Sequence, residues 1–170
     1  YPAIAWSDSF SDYVGIVSEW WAEHVSVKWA AYRAEALDLL TQADELARIV
    51  NLVGPEALSR QQRWVLEMAR LIREGLLQQS AIDEIDSYAS VEKQFELLKL
   101  MHDTYKLGRF LLDEGVPVQV LLEVPQLPRI IRAKSLFGND ELEGIRNLGA
   151  EVQAAFDAIR GEYDQVEKMQ

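Results

Sequence analysis

Two histidines, His24 and His102, are the only imidazoles in this 170-residue chain. Neither belongs to a His-Glu-x-x-His or Glu-x-x-His pair, the spacings that bring two ligands onto one face of a helix. A lone helical histidine reads as a packed or surface side chain. No serine sits in a nucleophile elbow. There is no Gly-x-x-x-x-Gly-Lys-Ser/Thr loop. Without that backbone cradle and its lysine, ATP hydrolysis by this chain alone is physically implausible. Cysteine is absent, which excludes disulfides and thiolate metal sites. A small carboxylate–metal bundle is disfavoured because its ligand spacing is missing. The remaining polar candidates bind rather than react. Gln78 and Gln79 are adjacent amides that both donate and accept, and they run into Asp83-Glu84-Ile85-Asp86.

The elements that must position these groups are helical. Tyr1 to Trp6 reads as extended chain, and Ser7 to Ser11 as a polar turn. Asp12 to about Trp21 carries Tyr13, Val14, Ile16, Val17, Trp20 and Trp21 at helical spacing. A second helix runs from about Val27 to Val53, with Trp29, Tyr32, Ala36, Leu39, Leu40, Ala43, Leu46, Ile49 and Val50 as its stripe. Gly54-Pro55 stops it: glycine tolerates a left-handed cap and proline cannot continue the ladder. Ser59 caps a third helix reaching Gln79. Trp64, Leu66, Ala69, Ile72 and Leu76 or Leu77 are its inward residues. Ser80 to Ser90 is a connector. Glu92 to about Gly115 forms a fourth helix with Phe95, Leu98, Met101, Tyr105 and Leu112 inward. Short helices follow over Val118–Val124 and Arg129–Leu136, between Pro117, Pro125 and Pro128. Asp140 caps a last helix from Glu141 to about Met169. There is no strand–helix alternation and no repeat. The fold class is therefore all-α: a helical bundle over 12–170 with a short extended N-terminal arm over 1–11.

Composition narrows the class further. Hydrophobic residues at 49% and charged residues at 26% are ordinary globular values, enough for one domain with a real core. A formal net charge of −11 repels phosphate backbones and anionic membranes, which argues against nucleic-acid partners. No apolar run approaches the roughly 20 residues of a membrane span, and no signal peptide is present.

Four segments, in order, carry a resemblance. Tyr1-Pro2-Ala3-Ile4-Ala5-Trp6 resembles a "(F/Y)PAI.W" motif. Ile49-Val50-Asn51-Leu52-Val53-Gly54-Pro55-Glu56-Ala57-Leu58 resembles "IV.LVG.DAL". Ile72 to Tyr88 resembles "IREDFLQQNA…DEVD.Y". Gly115-Val116-Pro117 and Pro128 to Lys134 resemble later "GV" and "ERI.RA" stretches. Together they are similar to the C-terminal domain of the catalytic A chain of V-type and A-type rotary ATPases. A chain that begins inside such a motif is expected to be a fragment of a longer protein. The arm over 1–11 would then be the linker from a nucleotide-binding domain.

The resemblance implies a function and site residues. The intact catalytic chain would bind Mg with ATP or ADP and couple hydrolysis or synthesis to proton or sodium translocation. The present chain alone would be inactive and hold no nucleotide tightly. Tyr1 matches the aromatic that stacks on adenine in the related F-type β chain, an interaction of about 1–3 kcal/mol per base. Leu76, Gln78 and Gln79 would complete the adenine pocket. Here the chain departs from the pattern: Leu76 replaces a phenylalanine, Ile82 an aromatic, Ala89 a cysteine and Gly75 an aspartate. Gly75 is expected to weaken the helix by up to about 1 kcal/mol. The tip formed by Pro55, Glu56, Ala57, Leu58 and Ser59 lies where the F-type β chain carries "DELSEED", and would contact the rotor. Arg60 and Gln61 replace the acidic pair there. Leu58 is expected to be exposed as an apolar contact, the alternative being that it is tucked under the turn beside Ser59. The implied partners are the B and central-stalk subunits of the rotary ATPase. The implied location is a peripheral complex on the cytoplasmic side of a membrane. The rival reading is a stand-alone helical interaction module without catalysis.

Overall fold

The computed structural model describes residues 13–78, 85 and 88–167, with side chains described through Tyr163. The expected arm, Tyr1, Gln79 and most of the 80–90 connector lie outside the described residues. The described elements are α1 (Val14–His24), α2 (Trp29–Val53), a 3-10 turn (Pro55–Ala57), α3 (Arg60–Ile72), a π-helical turn (Arg73–Leu77), α4 (Val91–Asp113), α5 (Val118–Leu122), α6 (Leu127–Leu136) and α7 (Leu142–Glu167). The fold is all-α. Among the described residues, no helix is long and apolar enough to cross a membrane.

Helix α4 is the axis of the bundle. It packs on α7, α3, α2 and α6. Its buried side carries Leu97, Leu98, Met101, Tyr105, Leu111 and Leu112, recurring at three and four residues, which keeps one face on the core. Trp64 of α3 lies fully buried against it, and the Trp64 indole N–H donates to the Tyr105 carbonyl at 3.2 Å. That bond satisfies the one polar atom of a large apolar side chain. A Cβ at Gly108 would stand 2.3 Å from the Trp64 ring, so only glycine lets α3 and α4 meet there.

Breakers fall where the sequence places them. Gly54 has φ +88°, and its N–H closes on the Val50 carbonyl at 2.9 Å. Gly115 has φ +98° and ends α4. The Val116 N–H reaches the Leu111 carbonyl at 3.0 Å and the Gly115 N–H reaches Leu112 at 3.2 Å, a Schellman closure with buried Val116 beside Leu111.

Three expectations are corrected. Helix α1 starts and ends later than its pattern suggests, and only Trp21 of its apolar set is buried. The cause is its edge position: it packs chiefly on α2, where Trp21 stacks on Trp29 at 4.8 Å. The third helix stops at Ile72 instead of Gln79. A π turn follows, closed by the Gln78 N–H on the Arg73 carbonyl at 2.8 Å. The last helix starts at Leu142, so Asp140 stands one residue upstream of the cap position.

Candidate functional site

The tip between α2 and α3 is built from local bonds. Pro55 opens a 3-10 turn, where its fixed φ and missing N–H cost nothing. Ser59 then caps α3. Its hydroxyl accepts from the Gln62 N–H at 3.2 Å, and the Gln62 side chain accepts from the Ser59 N–H at 2.9 Å. This reciprocal pair is a capping box. Pro55, Glu56, Ala57 and Ser59 are exposed. Leu58 is not: it is 8% exposed and belongs to the core cluster. The expectation that Leu58 is an exposed contact is corrected. With the outward positions taken by the turn, the chain re-enters at Leu58 and buries it. The residue four places beyond the cap is Arg63, so an apolar staple across the cap is absent as well.

The exposed apolar groups of the tip come from α2. Leu52 is 84% exposed and Val53 64%, with Ile49 beside them partly exposed. Periodicity puts Ile49 and Val50 on the inward stripe, and Val50 does pack on the core. Leu52 and Val53 are the signal missed: two consecutive apolar residues before a breaker cannot both face inward on a helix.

The π turn occupies the other end of α3, about 20 Å away at 1.5 Å rise per residue. Its extra residue swings Gly75 against α6. A Cβ at Gly75 would meet the Met101 methyl at 2.8 Å and the Ile131 Cα at 3.1 Å. Gly75 is thus a contact point for two backbones as well as a weak helix former. Leu76 is half-buried and lines a cavity of about 470 Å³ with Trp29, Arg33, Leu37, Leu77 and Gln94. Arg33 lies over the Trp29 ring at 5.9 Å. Gln78 is exposed next to this wall. The structure therefore brings Leu76 and Gln78 together, away from the tip. Tyr1 and Gln79, the other two residues of the expected adenine site, lie outside the described residues.

Charge around this end is fixed by pairs. Arg73 reaches Asp44 of α2 at 2.6 Å. A hydrogen bond to Glu67 raises the Arg70 pKa, and the charges of Glu67 and Glu74 add to it against desolvation. Exposed pairs of this kind contribute about 0–1 kcal/mol each. His102 of α4 contacts the Glu35 carboxylate of α2, which also binds Lys106 at 2.5 Å. His24 bonds the Trp20 carbonyl of its own helix at 2.8 Å.

One polar residue is invisible to sequence reasoning. Lys93 is 0% exposed. Its ammonium donates to the Lys134 carbonyl at 2.7 Å and to the Ile85 carbonyl at 3.3 Å. The available signal is positional: Lys93 stands four and seven residues before Leu97 and Leu100, on the buried face of α4.

Comparison with known proteins agrees with this architecture. Residues 18–112 match the family described as the C-terminal domain of V and A type ATP synthase. The V-type ATP synthase alpha chain of Nitrosococcus oceani is 53% identical over 99% of this chain and 29% of its own length. The A subunit of the A-type ATP synthase of Ignicoccus hospitalis is 43% identical over 88% of this chain and 26% of its own. Its counterpart in Sulfolobus acidocaldarius is 40% identical over 94% of this chain and 27% of its own. The chain thus spans under a third of these relatives. It belongs to the family of C-terminal domains of V- and A-type ATP synthases, and corresponds to the C-terminal part of their catalytic alpha chain.

Proposed function

We propose that this domain works within the catalytic chain of a rotary ATP synthase as a rigid two-ended adaptor. One end, the tip over Ile49 to Ser59, contacts the central stalk. The other end, at the π turn, faces the nucleotide. ATP or ADP with Mg is held by the rest of the catalytic chain, and Leu76 and Gln78, with Tyr1 and Gln79, complete the adenine side. The residues fit that limited task. Leu76 supplies an apolar wall, and Gln78 an exposed amide that donates and accepts. Residues 1–11 serve as the linker to the nucleotide-binding domain. The B subunit is the lateral neighbour, and the complex couples ATP turnover to proton or sodium movement across a membrane from its cytoplasmic side.

The observation that carries this reading is the pair Leu52 and Val53, exposed at the end of a stiff helix–turn–helix. Clustered apolar side chains at a projecting turn call for a partner. Pro55, Glu56, Ala57 and Ser59 complete the contact, and Leu58 supports it from beneath. The test is Leu52→Asp with Val53→Asp in the assembled complex. ATP hydrolysis should persist while ion pumping per ATP falls. Unchanged pumping would remove the tip from the coupling path. At the other end, Leu76→Phe should tighten nucleotide binding, because a ring restores stacking worth about 1–3 kcal/mol.

A further inference from the structure

Ile85 and residues 88–90 precede α4, and described side chains grip their backbone at successive points. Lys93 holds the Ile85 carbonyl. Asn139, in the loop after α6, accepts from the Ser90 N–H at 2.8 Å and donates to the Tyr88 carbonyl at 3.3 Å. Gln94 donates to the Ala89 carbonyl at 2.9 Å. Tyr88 and Ile85 are nevertheless exposed, at 69% and 42%. Exposed apolar groups on a backbone fastened this thoroughly form a preorganised surface.

Lys93 is the buried part of that grip. A buried ammonium needs partners that repay its lost hydration. Lys134 lies in the last turn of α6, where carbonyls have no partner within the helix. The ammonium satisfies one of them, at the negative end of the helix dipole. A single side chain therefore joins the first turn of α4, the last turn of α6 and Ile85. Nothing in a packed core requires an amine at that spot.

We propose that Lys93 is a positioning residue: its buried ammonium ties the chain entering α4, from Ile85 to Ser90, to the end of α6 and so fixes the nucleotide-facing side of the domain. The tie itself stands on the hydrogen bonds above. Only the link to nucleotide rests on the function proposed in the preceding subsection.

The test is Lys93→Met, which keeps the length and loses the donor. The Ser90 amide is the reporter, because it is bonded to Asn139 and not to Lys93. Its hydrogen exchange should quicken at least tenfold, while that of the Leu112 amide stays unchanged. In the full catalytic chain carrying this domain, KM for ATP should rise about fivefold with kcat unchanged. Asn139→Ala, a loop substitution that leaves the core alone, should raise KM about threefold, and it serves as the measure if Lys93→Met does not fold. Unchanged Ser90 exchange in Lys93→Met overturns the tie. Quicker exchange with unchanged KM overturns the positioning role. In that last case Leu76→Phe separates the causes. If it shifts KM, the nucleotide reading stands and the inference alone fails. If it does not, the nucleotide reading fails with it.

Discussion

At the tip, the chain closes through bonds between neighbours: Gly54 to Val50, Leu58 to Pro55, and Ser59 with Gln62. Around the π turn, the fastenings cross long stretches of sequence. Asn139 holds Ser90 across 49 residues, and Lys93 holds Lys134 across 41. The same α3 separates the two. A turn closed locally keeps its shape whatever the rest of the domain does, and suits a surface pressed by a partner. A turn closed by α4, α6 and the loop beyond is only as ordered as the packing among them. It can therefore report a change in that packing to whatever it faces.

Substitutions at the two ends test this contrast. The largest effect is expected from Leu58→Asp, the one point where the tip enters the core. Lost burial and a buried charge should lower stability by about 4 kcal/mol in a urea titration. An unchanged midpoint would make the tip wholly local and return Leu58 to the surface. Gly75→Ala comes next. Helix propensity favours alanine by up to about 1 kcal/mol, but the Cβ must enter backbone contacts at 3.1 Å with Ile131 and 3.3 Å with Ile130. Overpacking should win by about 1–3 kcal/mol, and a raised melting temperature would contradict the close approach. Ser59→Ala should cost about 1 kcal/mol through the lost cap. Exchange should quicken at the Gln62 amide and stay unchanged at Ser90, and a response at Ser90 would blur the distinction between the ends. Smallest is Leu52→Asp in the chain alone. No core contact is lost, so stability in a thermal melt should stay within about 0.5 kcal/mol of the parent. A drop like that of Leu58→Asp would place Leu52 inside.

Much of this was legible because local signals are strong. Gly54-Pro55, Ser59 and Gly115 mark helix ends by backbone chemistry that neighbours cannot override. The stripes of α2 and α4 follow from periodicity, and Leu39, Leu40, Leu98 and Met101 are buried accordingly. The long-range features were not legible. Lys93 looks like a solvated charge until α6 supplies carbonyls for it. Gly75 looks like a defect until α6 lies against it. Leu58 looks like a tip residue because sequence does not show where a turn re-enters the core. Helix α1 has apolar residues at helical spacing but only one main neighbour, so its pattern overstates its burial. The nucleotide side is the least legible part. Its residues act through neighbours far away in sequence, and Tyr1 and Gln79 lie outside the described residues.

The Trp64 ring seated in the notch at Gly108 has a mechanical consequence. A ring wedged in a notch works as a key in a keyway. It blocks α3 from sliding along α4 or rolling over it, because either motion drives the indole into backbone. The two helices then carry shear as a single beam, and a load entering along α3 is delivered to α4 without slack. Widening the notch is impossible, since glycine is already the smallest residue. Shrinking the key is the available change: Trp64→Phe would leave play between the helices before it unfolded them.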